Sequence, residues 1–158
     1  MSGLYVVLKL VICIVICESA GLIGALFTTQ AIPIWYEGLH QPSFRPPNWV
    51  FGPVWTLLYA LMAVAAWRVW LAAPGPARNW GLALFAVQLA LNLAWSWLFF
   101  HRHAIGGAFA EVLTLWVAIG ATTIVFAMST PVAAWLMAPY WAWVSFASIL
   151  NGAIWRLN

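Results

Sequence analysis

The run VLTLWVAIGATTIVFAMSTPVAAWLMAPYWAWVSFASILNGAIW, residues 112–155, holds 44 residues and no charged side chain. A helix crossing the hydrocarbon core of a bilayer takes ~20 apolar residues, so this stretch is too long for one span and long enough for two. Ser129-Thr130-Pro131 marks the break, because proline opens a helix readily at its first turn and disrupts one in its interior. On the N-terminal side of this run, uncharged stretches recur at 50–67 and 80–100. A first apolar stretch at about 5–27 tolerates Lys9 near its start and Glu18 within it. The sequence thus predicts five helices in a single domain spanning 1–158, near residues 5–27, 49–71, 80–100, 104–128 and 132–155. Strands of a membrane barrel would be ~10 residues long with alternating polarity, and these runs do not alternate. The expected fold class is an all-α membrane protein, a bundle of five transmembrane helices.

Composition agrees. Of 158 residues, 66% are hydrophobic and 6% charged, with a mean hydropathy of +0.96. A soluble domain carries about 25% charged residues, so a cytosolic enzyme, a disordered chain and a secreted disulfide scaffold are all excluded. The apolar stretch at the N-terminus exceeds the 7–15 residues of a signal-peptide core and is read as a retained helix. The net charge of +3 comes from a few membrane-flanking residues and implies no nucleic acid. Lys9, Arg68 and Arg78 fall on one side of the five-helix topology, Arg45, Arg102 and Arg156 on the other. That balance leaves the positive-inside rule silent on orientation. Thirteen tryptophans are first read as interfacial belts, the usual place for such rings. Trp67, Trp70, Trp80, Trp135 and Trp155, near the predicted helix ends, suit that role.

Most connections are short, so sequential helices are expected to pack as antiparallel neighbours. Only the first, at about 28–48, is long. It carries Pro33, Pro42, Pro46 and Pro47 with Trp35, Tyr36, Phe44 and Trp49. Prolines lower the unfolded-state entropy and the aromatics supply surface to bury, so an ordered lid is expected.

Polar side chains inside a span are costly, which makes their alignment informative. Gln88, Asn92, Trp95 and Phe99 share one face of the third helix, and Trp55, Tyr59 and Met62 share one of the second. On the fifth, Tyr140, Trp143 or Val144, Ala147 and Asn151 form a third stripe. Two readings stand. The amides are interhelical glue, worth ~0.6–2 kcal/mol each, or the faces enclose a pocket for a flat apolar ligand oriented by a few polar groups. Glu18 lies deep in the first helix as a polar contact or, less simply, a proton relay, whereas Glu111 is expected near enough to an interface to be partly hydrated. Cys13 and Cys17 read as small apolar side chains. His101-Arg102-His103 reads as a hydrated basic rim, since no carboxylate or thiol completes a metal set. No arrangement nominates a conventional enzyme, and neither a metal nor a required cofactor is expected.

The segment WYEGL at residues 35–39, followed by QPSFRPPNWVFGPVWTLLY at 41–59, closely resembles the motif of the TspO/MBR family. That family comprises bacterial tryptophan-rich sensory proteins and the mitochondrial translocator protein, or peripheral-type benzodiazepine receptor. Two further blocks agree, QLALNLAWSWLFF at 88–100 and PYWAWVSFA at 139–147, the latter continuing through Asn151 to Arg156. The resemblance implies a homodimeric receptor or sensor that binds porphyrins, such as protoporphyrin IX or haem, and other flat hydrophobic ligands beneath the first loop, with membrane lipid around it. Carried over by motif, the ligand-binding residues would be Trp35, Trp49, Trp55, Tyr59, Asn92, Trp95, Trp143, Ala147 and Asn151. It also implies two alternatives: light-dependent porphyrin degradation with Trp55 and Trp143 as the catalytic candidates, and porphyrin or lipid transport. Two departures are visible. Phe44 stands where the loop motif often has tryptophan, and Gly152 stands where the mitochondrial cholesterol motif has an aromatic, which argues against cholesterol. A bacterial membrane, inner or outer, is expected.

Overall fold

A computed structural model describes residues 3–158. Its helices are α1 (Gly3–Ala31), α2 (Asn48–Leu71), α3 (Pro76–Ser96), α4 (Ile105–Ser129) and α5 (Pro131–Leu157). All five are long and apolar enough to cross a membrane, and no strand occurs among the described residues. π-helical turns extend α1 over Ile32–Tyr36 and α3 over Trp97–His101.

The first of these turns shortens the expected lid. Nothing between Thr28 and Pro33 interrupts a helix, and the hydroxyls of Thr28 and Thr29 donate back to the carbonyls of Gly24 and Ala25. Pro33 lacks an N–H and crowds the preceding α-helical turn; the wider π turn, closed by the Glu37 amide on the Ile32 carbonyl at 3.1 Å, accommodates it. Only residues 37–47 remain as non-helical connection.

The helices close into a ring in the order α1, α2, α5, α4, α3 and back to α1. The expectation that every sequential pair packs closely therefore fails for α2 and α3, which touch only sparingly across the ring. The Pro74-Gly75-Pro76 turn carries the chain between them. Cys17, Met62, Ala63, Val69, Leu115, Ile119, Phe126, Met137, Tyr140 and Val144 form the main core. A second cluster, including Ala31, Tyr36, Phe99, Phe100, Ala108, Leu150 and Ile154, lies at the end that bears the residue 37–47 loop.

Two positions show how close the helices come. A Cβ on Gly21 would lie 2.7 Å from the Tyr59 ring, so α1 meets α2 there only because glycine has no side chain. At Gly152 it would lie 2.8 Å from the Phe109 ring, which occupies the space an aromatic side chain would need. Lys9 is not a solvated flank. It is buried, with Nζ donating to the Trp70 carbonyl at 3.4 Å and sitting over the Tyr5 and Trp70 rings.

Candidate functional site

Asn48, Phe51, Gly52, Trp55 and Tyr59 follow one another at helical spacing along α2, so they present one face. Opposite it stand Trp95 of α3 and Trp143, Ala147 and Asn151 of α5. Flat rings on three helices cannot interdigitate as aliphatic side chains do, and a two-lobed cavity results. The inner lobe, about 80 Å³, is walled by Phe51, Trp55, Trp95, Phe99, Phe100 and Trp143, with Ala147 and Asn151 on α5. The lateral lobe, about 390 Å³, lies between α1 and α2 with Tyr59, Asn92, Trp95 and Ser96 on its walls. Trp55, Trp95, Phe51, Asn48, Thr28 and Ile32 line both, so the lobes adjoin across a shared wall. The lateral lobe alone falls in the ~300–1,000 Å³ range of small-molecule sites.

The amides tie this wall together. Asn92 accepts a hydrogen bond from the Tyr59 hydroxyl through Oδ1 and donates from Nδ2 to the Tyr140 hydroxyl at 3.1 Å, joining α2, α3 and α5. Asn151 accepts from Trp95 Nε1 at 3.0 Å and donates to the Ile105 carbonyl at 3.2 Å. Glue and pocket are one arrangement: the amides hold the helices at the separation that the aromatic rings then line. Gln88 stands apart from the cavity, buried against the Met62 sulfur.

Of the residues expected from the sequence, Trp55 and Trp95 line both lobes. Trp143, Ala147 and Asn151 line the inner one, and Trp49, Tyr59 and Asn92 the lateral one. Trp35 lines neither. It stacks on His103 at 4.1 Å and meets Phe99 edge-on at 5.3 Å, buttressing the inner wall from behind. His103 reaches it from a left-handed backbone conformation, φ 53°, and His101 lies 5.7 Å from Phe27. The histidine turn is exposed, as the expected rim would be, and its rings also pack against the end of α1. Glu111 departs from expectation: both carboxyl oxygens are buried with no hydrogen-bond partner among the described residues.

The loop of residues 37–47 is braced from both ends. Arg45 donates to Asn48 Oδ1 and lies over the Tyr36 ring at 5.1 Å, while Asn48 Nδ2 donates to Glu37 at 3.0 Å. His40 N–H donates to Asn158 Oδ1 at 2.9 Å and the His40 carbonyl accepts from Asn158 Nδ2 at 3.1 Å.

The family profile of TspO/MBR matches residues 13–156. The chain belongs to the TspO/MBR family. It is 39% identical over 155 residues to the tryptophan-rich protein TspO of Chlorobaculum tepidum, covering 96% of this chain and 97% of that one. It is 37% identical over 142 residues to the tryptophan-rich sensory protein of Cereibacter sphaeroides, covering 90% and 86%. It is 41% identical over 126 residues to the human translocator protein, covering 78% and 75%. Together with the five apolar helices, TspO/MBR membership makes the chain a multi-pass integral membrane protein. Asn48 and Phe51, which sequence reasoning left out of this TspO/MBR cavity, carry a readable signal: each extends the Trp55–Tyr59 stripe backward at helical spacing. Phe100 carries none, because the π turn that rotates it inward leaves no mark in the sequence pattern.

Proposed function

We propose that this protein is a membrane receptor or sensor that binds porphyrins and other flat hydrophobic ligands in the aromatic cavity of its bundle. The observation that carries the reading is the set of rings on separate helices, Trp55, Trp95 and Trp143, that wall the inner lobe, with Trp55 and Trp95 also walling the lateral lobe beside it. A tetrapyrrole offers two large apolar faces. Offset stacking on such rings adds ~0.5–1.5 kcal/mol per pair beyond burial, and membership of a family of sensory and translocator proteins agrees with a binding role. In this reading Ala147 leaves room for the macrocycle edge, Asn151 fixes the Trp95 indole, and the loop of residues 37–47 is the lid. Trp35 supports the wall and touches ligand only indirectly. A bacterial membrane and a homodimeric assembly complete the proposal.

The test is a titration of detergent-solubilised protein with protoporphyrin IX, following tryptophan fluorescence in the dark and under illumination. Saturable quenching without loss of porphyrin absorbance, weakened in Trp143→Ala, is the expected result. Absence of quenching at micromolar porphyrin overturns the reading. Light-dependent bleaching that disappears in Trp55→Phe or Trp143→Phe replaces it with an enzymatic one.

A further inference from the structure

Glu18 stands fifteen positions along α1 from Gly3, ~22 Å at 1.5 Å per residue, and so near the middle of a 29-residue helix. Acidic side chains at that depth are expensive and mark functional sites. It lines the lateral lobe, and among the described residues lining either lobe it is the only one with a carboxyl or a basic side chain. Lys9, the other charged residue of α1, is engaged with Trp70. Around the same lobe stand five aromatic rings, Trp49, Phe51, Trp55, Tyr59 and Trp95. Leu22, Trp49 and Thr56 on its margin are exposed, so the lobe opens on the hydrocarbon side between α1 and α2.

A carboxyl beside several aromatic faces is the chemistry that recognises an amine, which donates N–H to the acid and presents its positive charge to the rings. We propose that the lateral lobe binds lipophilic amines taken from the bilayer, with the amine nitrogen at Glu18 and the apolar body along Trp49 and Trp55. An alcohol of the same shape loses the charge, and a carboxylic acid is repelled. The lobe therefore discriminates among membrane-dissolved compounds by their polar end. The site shares Trp55 and Trp95 with the cavity of the porphyrin reading, but amine binding does not require that porphyrin binds.

The test uses three isosteric probes, 9-(aminomethyl)anthracene, 9-anthracenemethanol and 9-anthracenecarboxylic acid, added to the protein in phosphatidylcholine nanodiscs. Energy transfer from tryptophan to anthracene is read, with protein-free nanodiscs as the partition control. The amine is expected to bind saturably and about tenfold or more tighter than the alcohol, with the acid weakest. Glu18→Gln, of the same size, is expected to bring the amine down to the alcohol's affinity with an unchanged melting temperature. Should that variant fail to fold, Trp49→Ala keeps the carboxyl and is expected to weaken the amine several-fold. Equal wild-type affinities for amine and alcohol overturn the proposal, as does an amine preference that survives in Glu18→Gln or is untouched in Trp49→Ala. Protoporphyrin IX quenching, run on the same wild-type samples, reports the receptor reading separately: either result can fail while the other stands.

Discussion

Where the first half of α1 runs beside the second half of α2, Trp67 Nε1 donates to the Val6 carbonyl at 3.0 Å, Lys9 reaches the Trp70 carbonyl, and Met62, Ala63 and Ala65 are fully buried. Where the second half of α1 runs beside the first half of α2, the facing residues are Trp49, Trp55 and Tyr59, and the helices stand apart around the lateral lobe. The same pair of helices is sealed at one end and open at the other. Side-chain shape decides which. Alanines let backbones approach closely and fill the space left, as small residues do between membrane helices, whereas broad rings keep backbones apart. Gly21 against Tyr59 is the point where one regime gives way to the other.

Placing one substitution in both regions separates them most strongly. Ala63→Phe in the sealed half forces a ring into a filled core and is expected to cost about 3 kcal/mol, the upper part of the overpacking range. Ala147→Phe, on the α5 wall that faces the open half across the inner lobe, is expected to fill cavity, leave the melting temperature nearly unchanged and abolish porphyrin quenching. Thermal melting beside the titration checks both, and equal destabilisation by the two variants would erase the distinction. Asn92→Ala comes next. It strips partners from the Tyr59 and Tyr140 hydroxyls and is expected to destabilise by about 1–2 kcal/mol, with denaturant titration as the measurement. Trp143→Ala removes cavity wall, leaving Phe51 and Phe146 as its former ring neighbours. A stability change under ~1 kcal/mol is expected, with porphyrin affinity down about tenfold, in line with one lost stacking surface and its burial. The smallest effect belongs to Asn158→Ala, which releases the two His40 bonds on the loop. Little change in melting is expected, below ~1 kcal/mol, with faster hydrogen exchange confined to residues 37–47.

The open half was the more legible of the two. Trp55, Tyr59, Asn92, Trp95, Trp143 and Asn151 stand out because aromatic and amide side chains at helical spacing inside a span demand explanation, and the five spans follow from the uncharged runs. The sealed half looks featureless in sequence, and Trp67 and Trp70 near a helix end resemble interfacial anchors. They also tie α2 to α1, half-buried, while Trp80, Trp135 and Trp155 are exposed. Periodicity places residues on a face but does not say which helix that face meets, so the sparse α2–α3 contact was not readable. Nor was the partnerless burial of Glu111, which depends on how α4 sits in the ring. Trp35 was readable as an aromatic near the long first connection, but its stacking on His103 depends on two turns meeting in space.

Both of those turns are built on π-helical segments, Ile32–Tyr36 and Trp97–His101, whose aromatic side chains pack against one another. A π turn holds one residue more than α-helical winding requires, and each extra residue rotates the chain beyond it by about 100° around the axis. Chain length at these two places is therefore a control on the cavity in its own right. Removing a single non-lining residue from either segment would restore regular winding and swing Tyr36 or Phe100 off the wall, recasting the cavity without substituting any residue that lines it.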